Sequence, residues 1–415
     1  MSARTLLLPL RERNFRWLVT GRTFADFGNA VAPLALAFAV VDLTGSAIDL
    51  GIVVGARSVA NILLLVFGGV LADRLPRSVI LQGTELAATA TQALIAASVL
   101  CGFSSIPLLV ALSVVNGAVA AISLPAAASI TPQTVPADRL GQANALVRLL
   151  SNAGRIGGAA IAGIIVAAVG SGWAVAANSL LFLGAALAYH GIRLPRGRRI
   201  PGGKPLAELR EGWREFTSRA WVWIVVLQFT VVNAVGFGAL MVVGPIVADD
   251  TFGRAGWGFA LAVQTAGSFA GGLVAAHWQP RRTLMFGVLL VAFDSIPLFT
   301  LGWSPLLLPL LLVMFVAGLA VEQFSVAWDV SLQENVPADK LARVYSYDML
   351  GSFIALPLGE ISVGPLMEHF GREATLTGGG VLVVLATAAA LGSRQVRDLV
   401  RRTHIPEAQR PASAS

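Results

Sequence analysis

The sequence has little charge and almost no cysteine. Charged residues make up 13% of its 415 residues, about half of the roughly 25% found in an average soluble domain. Cys101 is the single cysteine, so an internal disulfide and a cysteine-pair metal site are excluded. H-E-x-x-H and G-x-S-x-G motifs are absent, and "GGKP" at 202–205 lacks the spacing and hydroxyl of a phosphate-binding loop. We therefore expect no enzyme, no ATP-driven pump, and no cofactor or metal.

Hydrophobic residues are correspondingly abundant, at 56% of the chain, and glycine adds 43 residues. Between the charged clusters lie apolar segments of about 20–28 residues, and a helix needs about 20 to cross a bilayer core. The first segment has no signal-peptide cleavage pattern, so we expect it to be retained. The sequence predicts an all-α integral membrane protein with twelve transmembrane helices, at residues 16–41, 48–72, 79–101, 106–131, 140–168, 171–192, 220–247, 256–278, 283–302, 306–331, 342–367 and 373–393.

The basic residues are distributed unevenly between the two predicted membrane faces. The net charge is +7, and alternate connections hold nearly all the arginines, including seven in residues 193–219. Connections on the opposite face contain only Arg254 and Arg372. By the positive-inside rule, both termini and the central connection are predicted to be cytoplasmic. The basic charge is thus a signal of membrane topology, and nucleic acid is not an expected partner.

The two halves of the chain resemble each other. "VPADRL" at 135–140 returns as "VPADKL" at 336–341, and "GGVLADRLPR" at 68–77 returns as "GGLVAAHWQPR" at 271–281. Two six-helix bundles in parallel orientation are typical of one transporter architecture. The predicted division is an N-terminal bundle, a cytoplasmic linker, a C-terminal bundle and a disordered cytoplasmic tail, at residues 1–192, 193–219, 220–393 and 394–415. Apolar residues at helical spacing predict an amphipathic linker helix on the inner membrane surface, namely Leu206, Leu209, Trp213 and Phe216.

The loop after the second predicted helix carries Gly69, Asp73, Arg74 and Arg77. This spacing resembles the G-x-x-x-D-R/K-x-G-R-R/K signature of the major facilitator superfamily, with Pro76 in place of the usual glycine. The resemblance implies the superfamily's fold of two pseudo-symmetric six-helix bundles. It also implies a conformational latch, in which these residues contact the other half when the cytoplasmic side is closed. The alternative is that they are ordinary positive-inside charges.

A second resemblance covers the fifth predicted helix. "GRIGGAAIAG", with Gly154, Gly158 and Gly163, resembles the G-x-x-x-G-P-x-x-G-G pattern of drug:proton antiporters, although Ala159 replaces the proline. The surrounding segment resembles the branch that contains macrolide and enterobactin-type siderophore exporters. These likenesses imply an exporter of a lipophilic small molecule, driven by protons. We expect a monomer, because twelve helices enclose their own pathway. Alternatives are a dedicated siderophore exporter, an importer or a lipid flippase on the same scaffold, and a membrane sensor that no longer transports.

Ionisable residues within a membrane helix require a physical explanation, because each costs about 2.5–3.5 kcal/mol at mid-bilayer. Arg22 and Asp26 are four residues apart on one helix face and can pair. Asp26 is the first candidate for proton coupling and Glu322 the second. A static Arg22–Asp26 ion pair that fixes helix packing is the alternative.

The resemblance further implies that the first, fourth, seventh and tenth helices line a central cavity. Polar or aromatic residues on these helices are substrate candidates, namely Asn29, Asn116, Asn233 and Phe237. Arg148 and Arg155 on the fifth helix either bind an anionic substrate or pair with acids of the other half, and pairing is the favoured interpretation. Structural pairing or placement near the helix ends is expected for the remaining intramembrane charges, Arg57, Glu85, Asp294, Asp348 and Glu360.

Overall fold

A computed structural model describes residues 7–193, 213–278 and 280–400, and within these ranges the chain forms helices and turns without a strand. Twelve long helices, α1 to α12, follow one another through the chain. Their bounds are Arg13–Thr44, Ala47–Arg74, Arg77–Leu100, Ile106–Ser129, Leu140–Val169, Ser171–His190, Ala220–Asp250, Arg254–His277, Thr283–Trp303, Leu307–Asn335, 338–370 and Arg372–Gly392.

Eleven of the described helices are long and apolar enough to cross a membrane. The remaining one, α3, has 24 residues and is more polar, because it carries Glu85 and Gln92. Helices satisfy their own backbone hydrogen bonds, which a bilayer core requires of any spanning segment. The predicted fold class, an all-α integral membrane protein with two six-helix bundles, is therefore confirmed.

The helix packing repeats between the two halves. In the first half α1 packs on α5 and α6, α2 on α4, and α3 on α6. The corresponding pairs of the second half also pack, with α7 on α11 and α12, α8 on α10, and α9 on α12. Adding six to each helix number of the first set gives the second set. The sequence repeat thus corresponds to two bundles of the same internal arrangement.

The two bundles contact each other mainly through α5 with α8 and α2 with α11. Both contacts lie at the end of the molecule opposite to the start of α1, which we call the far end. Glycines allow the helices to approach closely there. A Cβ on Gly258 would lie 2.6 Å from the Ala159 carbonyl oxygen, and one on Gly364 would lie 2.7 Å from the Ile48 Cα. Small residues permit such packing where no hydrophobic force joins helices.

Toward the opposite end, which we call the basic end, the bundles separate. The basic-end segments of α7 and α11, Ala220–Val232 and Ala338–Phe353, pack closely only within their own half among the described residues. The cross-bundle packing of these two helices comes from their far-end segments, Ala239–Asp250 and Leu356–Phe370. The structure is therefore closed at the far end and open toward the basic end.

Three helices of the second half are irregular where they pass the centre. A wide π-helical segment, Asn233–Gly238, interrupts α7, and a 3₁₀ turn, Val291–Asp294, interrupts α9. Two turn residues separate the two parts of α11 after Phe353. Such interruptions inside helices are frequent at functional sites. They were not predicted, because these segments are apolar apart from Asn233 and Asp294 and carry no proline.

The predicted linker and tail fall partly outside the described residues, which exclude 194–212 and 401–415. The end of the linker is helical at 213–217, and Phe216 is buried there against Tyr347. The prediction of a disordered tail from residue 394 was wrong for its first residues. Arg394–Arg397 form a short helix, because Val396 is buried and Asp398 lies 3.9 Å from Arg282. The bundle and linker boundaries otherwise remain predictions.

Candidate functional site

A cavity between the bundles has two chambers. The first, of about 510 Å³, lies mainly against α1 to α4, and the second, of about 750 Å³, lies mainly against α5, α7, α8 and α10. Arg155 and Phe237 border both chambers. Ligand sites for drug-sized molecules are about 300–1,000 Å³, so each chamber has room for one.

The first chamber contains the ion pair that the sequence predicts in α1. Arg22 Nε lies 3.5 Å from Asp26 Oδ2, and Ser151 of α5 donates a hydrogen bond to the same oxygen. Arg22 also donates to the Ala127 carbonyl oxygen at 3.2 Å, so it spans from α1 to α4. Asp26 is 6% exposed. Its carboxylate is therefore matched by a cation and a hydroxyl at a nearly buried position.

Glu85 of α3 borders the same chamber, which the sequence interpretation did not foresee. Its side chain is 6% exposed, and its Oε2 atom has no hydrogen-bond partner. Asp26 and Arg22 interact with it electrostatically, and so does the buried Tyr189 of α6. Sequence spacing alone could not show that this face of α3 turns toward α1.

Arg57 of α2 and Glu360 of α11 also border the first chamber, on opposite bundles. Glu360 is 2% exposed, accepts a hydrogen bond from Ser58, and interacts electrostatically with Arg57. The expectation of structural pairing fits these two residues in part, since Glu360 Oε2 has no partner. The pair lies where α2 meets α11, at the closed floor of the cavity.

The second chamber places Glu322 of α10 opposite two arginines of α5. Arg148 and Arg155 act on Glu322 across the chamber, but among the described residues neither forms an ion pair of 4.0 Å or less. The favoured interpretation, direct pairing with acids of the other half, was therefore wrong in this conformation. The bundles are apart at this depth, and the charges face an open space. Asp294, in the 3₁₀ turn of α9, borders the same chamber.

The predicted polar candidates all border one chamber or the other. Asn29 and Asn116 line the first, and Asn233 lines the second. Asn116 donates to Thr91 Oγ1 at 2.8 Å, and Asn233 donates to the Ser352 carbonyl oxygen at 2.9 Å. The expected lining helices α1, α4, α7 and α10 all contribute, and others do so as well. The π segment of α7 holds both Asn233 and Phe237.

The predicted latch is only partly within the described side chains. Gly69, Asp73 and Arg74 belong to the last turns of α2, but their side-chain surroundings lie outside the described part of the structure. Arg77, at the start of α3, donates to the Ser129 carbonyl oxygen at 2.7 Å. This contact joins α3 to the end of α4 in the same bundle. The latch role of these residues remains a prediction.

A charged cluster joins the bundles at the far end. Arg254, the first residue of α8, lies 2.6 Å from Asp42 of α1 and 2.6 Å from Asp249 of α7. Its guanidinium carbon is 5.1 Å from the centre of the Phe38 ring, and Ser171 donates to Asp42 at 2.5 Å. Asp42 belongs to the first bundle and Asp249 to the second, so Arg254 ties the two together.

Comparisons with known proteins agree with this geometry. The family model described as Major Facilitator Superfamily matches residues 18–360. A chloramphenicol resistance protein of Streptomyces lividans is 30% identical over 370 residues, which cover 85% of this chain and 86% of that protein. The multidrug efflux pump Tap of Mycolicibacterium fortuitum is 24% identical over 390 residues, covering 90% and 94% respectively.

Solved transporter structures share the fold. A bacterial homologue of the human lysosomal transporter Spinster, in an inward-facing and unoccupied conformation, superposes with a TM-score of 0.71 at 16% identity. The match covers 96% of this chain and 98% of that chain. The nucleoside transporter NupG gives a TM-score of 0.73 at 13% identity, with 91% and 98% covered. At these identities the likeness concerns the fold alone.

Proposed function

The chain belongs to the major facilitator superfamily, and on that premise we propose that it is a proton-driven exporter of lipophilic small molecules in a cell membrane. The observation that carries the proposal is the central cavity, where an apolar wall surrounds a few buried charges. Such a pocket suits molecules recognised by shape and hydrophobicity. The relatives named for multidrug efflux and for chloramphenicol resistance support the same cargo class.

The positive-inside rule supports a cytoplasmic basic end. With that orientation the structure is open to the cytoplasm, and the Arg254 cluster closes the outside. Export then requires the far-end contacts to separate while the basic end closes. The Asp73 loop, with Gly69, Arg74 and Arg77, would stabilise that second state as the family resemblance implies. A monomer suffices, since the two bundles enclose the pathway themselves.

Proton coupling is supported by the acids that border the chambers. In the first chamber, the Arg22–Asp26 pair sets the local charge, and in the second chamber Glu322 faces Arg148 and Arg155 without contact. A group that gains or loses a proton inside a low-dielectric cavity changes the energy of opening that cavity. Charge neutralisation in the cavity would thereby link proton entry to cargo release.

Transport into inside-out vesicles tests the proposal. Labelled chloramphenicol, a labelled macrolide and a fluorescent lipophilic cation are offered in turn, with an acid-inside pH gradient that is later collapsed. We expect gradient-dependent accumulation of at least one compound. Asp26→Asn should abolish that accumulation yet keep downhill exchange, because the pocket remains while its charge balance is lost. Glu322→Gln tests the second chamber in the same way, and the exposed Glu368→Gln serves as a control.

If none of the three compounds moves under any gradient, the export proposal fails for lipophilic drugs. An anionic siderophore is then the next candidate cargo, since Arg148 and Arg155 border the second chamber and form no ion pair of 4.0 Å or less with a described residue. Accumulation that persists after collapse of the gradient would instead contradict proton coupling.

A further inference from the structure

We propose that Glu85 is the group that binds and releases the transported proton, and that the Arg22–Asp26 ion pair is a fixed charge beside it. The inference deepens the proposed antiport, and its transport role rests on that function. It assigns a proton site to α3, a helix on which sequence interpretation expected only structural charges.

The two acids of the first chamber differ in how their charge is compensated. Asp26 receives Arg22 at 3.5 Å and a hydrogen bond from Ser151, so an ionised carboxylate is well accommodated. Glu85 has no ion pair of 4.0 Å or less within the described residues, and its Oε2 is unpartnered. Arg22 is thus the nearby cation for two carboxylates, and its ion pair is with Asp26.

The consequence follows from electrostatics in a dry site. Two carboxylates that share one site do not both ionise readily, because like charges repel strongly at low dielectric. An ionised Glu85 would add an uncompensated charge next to Asp26, whereas a protonated Glu85 leaves the cluster neutral. Binding of one proton at Glu85 therefore changes the cluster of Arg22, Asp26 and Glu85 from net negative to neutral. The Glu85 carboxyl borders the chamber, so a proton or a cationic cargo has access to it.

The charged and titratable groups around Glu85 are few. Arg22 and Asp26 face it from α1, and the phenol of Tyr189 faces it from α6. His190 contacts Gln82, which precedes Glu85 by about one turn of α3, and its Nδ1 lies 3.1 Å from Gln82 Nε2. Arg57, Glu360 and Arg155 border the same chamber farther off. Among the described residues, Arg22 is the cation that acts electrostatically on Glu85.

Infrared difference spectroscopy of the purified full-length protein tests proton binding without needing a cargo. Spectra at alkaline and mildly acidic pH are subtracted, and the carbonyl band of a protonated carboxylic acid is followed. Protein labelled with carbon-13 glutamate separates glutamate from aspartate bands. Glu85→Gln is compared with Glu368→Gln, the same substitution at an exposed position.

We expect a titrating band that shifts with glutamate labelling, disappears in Glu85→Gln and persists in Glu368→Gln. A band whose frequency does not shift with glutamate labelling belongs to an aspartate, and it would overturn the proposal in favour of a site such as Asp26. A glutamate band that survives in Glu85→Gln assigns the proton elsewhere and also overturns it. The absence of any titrating band in the wild type would also overturn the proposal.

Vesicle transport then tests the role of the bound proton. Glu85→Gln should lose gradient-driven accumulation, to the level of protein-free vesicles, while downhill exchange of the same labelled compound persists. Loss of both activities would mean that Glu85 has a structural role, and it would contradict the proposal. If the wild type moves none of the compounds, the proposed export function fails, and the spectra still decide whether Glu85 binds the proton.

Discussion

The Arg254–Asp42 contact at the far end gives a quantitative prediction about conformational balance. Replacing Asp42 by alanine removes the charged contact that joins the bundles at this cluster, because Asp249 lies in the same bundle as Arg254. We expect the population open at the far end to grow at the expense of the state described here. The closed end would then be held by helix packing and by the contact of Ser58 and Arg57 with Glu360.

The magnitude follows from geometry and exposure. The Asp42 side chain is 34% exposed and that of Arg254 is 23% exposed, at a separation of 2.6 Å. Exposed ion pairs contribute about 0.2–1 kcal/mol, and hydrogen bonds to charged groups contribute about 1.5–3 kcal/mol. A half-buried pair lies between these ranges, at about 1–2 kcal/mol, which changes a two-state ratio by about 5- to 30-fold.

Spin-label distances at the far end measure that ratio. The chain offers Cys101 as a natural site, exposed just after α3, and Ser304→Cys adds an exposed site just after α9. The two positions are equivalent in the two bundles. Asp42→Ala should enlarge the long-distance population relative to wild type. Asp250→Ala serves as the matched control, since it neighbours Asp249 but forms no ion pair among the described residues.

A double-mutant cycle isolates the contact itself. Arg254→Ala alone and in combination with Asp42→Ala should give effects that do not add, because either change already removes the pair. Fully additive shifts would refute the idea that the pair couples the bundles. An unchanged distance distribution in Asp42→Ala would show that the Arg254–Asp42 pair is not needed to keep the far end closed.

Two further predictions concern packing and the linker. Gly258→Leu should impair transport and favour the far-end-open state, because a Cβ alone would already lie 2.6 Å from a backbone carbonyl oxygen of α5. Overpacking of this kind costs about 1–3 kcal/mol. The control Gly83→Ala should leave transport unchanged, since nothing lies within 4 Å of its new Cβ. Hydrogen bonds from Lys340 and Arg219 lower the pKa of Glu215 below its ordinary 4.5, so this contact stabilises the linker end above that pH and is lost as acidification passes the lowered pKa. Hydrogen exchange at 213–217, corrected for intrinsic rates, should therefore rise in acid and should already be high at neutral pH in Lys340→Met; equal protection throughout would contradict this.

Much of the fold was predictable because lipid imposes simple rules on the sequence. The predicted helices at 140–168 and 373–393 correspond to Leu140–Val169 and Arg372–Gly392, since charges and glycines mark where the apolar segments end. The repeats at 135–140 and 336–341 anticipated the two bundles. The interruptions of α7, α9 and α11 were not predicted because, apart from Asn233 and Asp294, their residues are as apolar as those of regular helices.

The site was predictable only where neighbours lie on one helix. Arg22 and Asp26 pair as their spacing of four indicates. Glu85 was assigned a structural role because it lies on an outer helix near the end of its predicted span, and the sequence does not show which face of α3 borders the cavity. Arg148 and Arg155 were expected to pair across the bundles, but pairing depends on how far the bundles are apart. Relations of this kind arise from tertiary packing, which a single sequence does not encode locally.

The wide π-helical segment Asn233–Gly238 gives α7 one residue more at its midpoint than a regular α-helix of the same length would have, and we call it the spare residue. Each residue of an α-helix turns by about 100°, so taking up or releasing one residue rotates one half of the helix against the other while both ends stay anchored. Phe237, which borders both chambers, lies inside this segment. A shift of the spare residue along α7 would swing that ring from one chamber toward the other. Rotation within α7 would then determine which of the two chambers the Phe237 ring blocks.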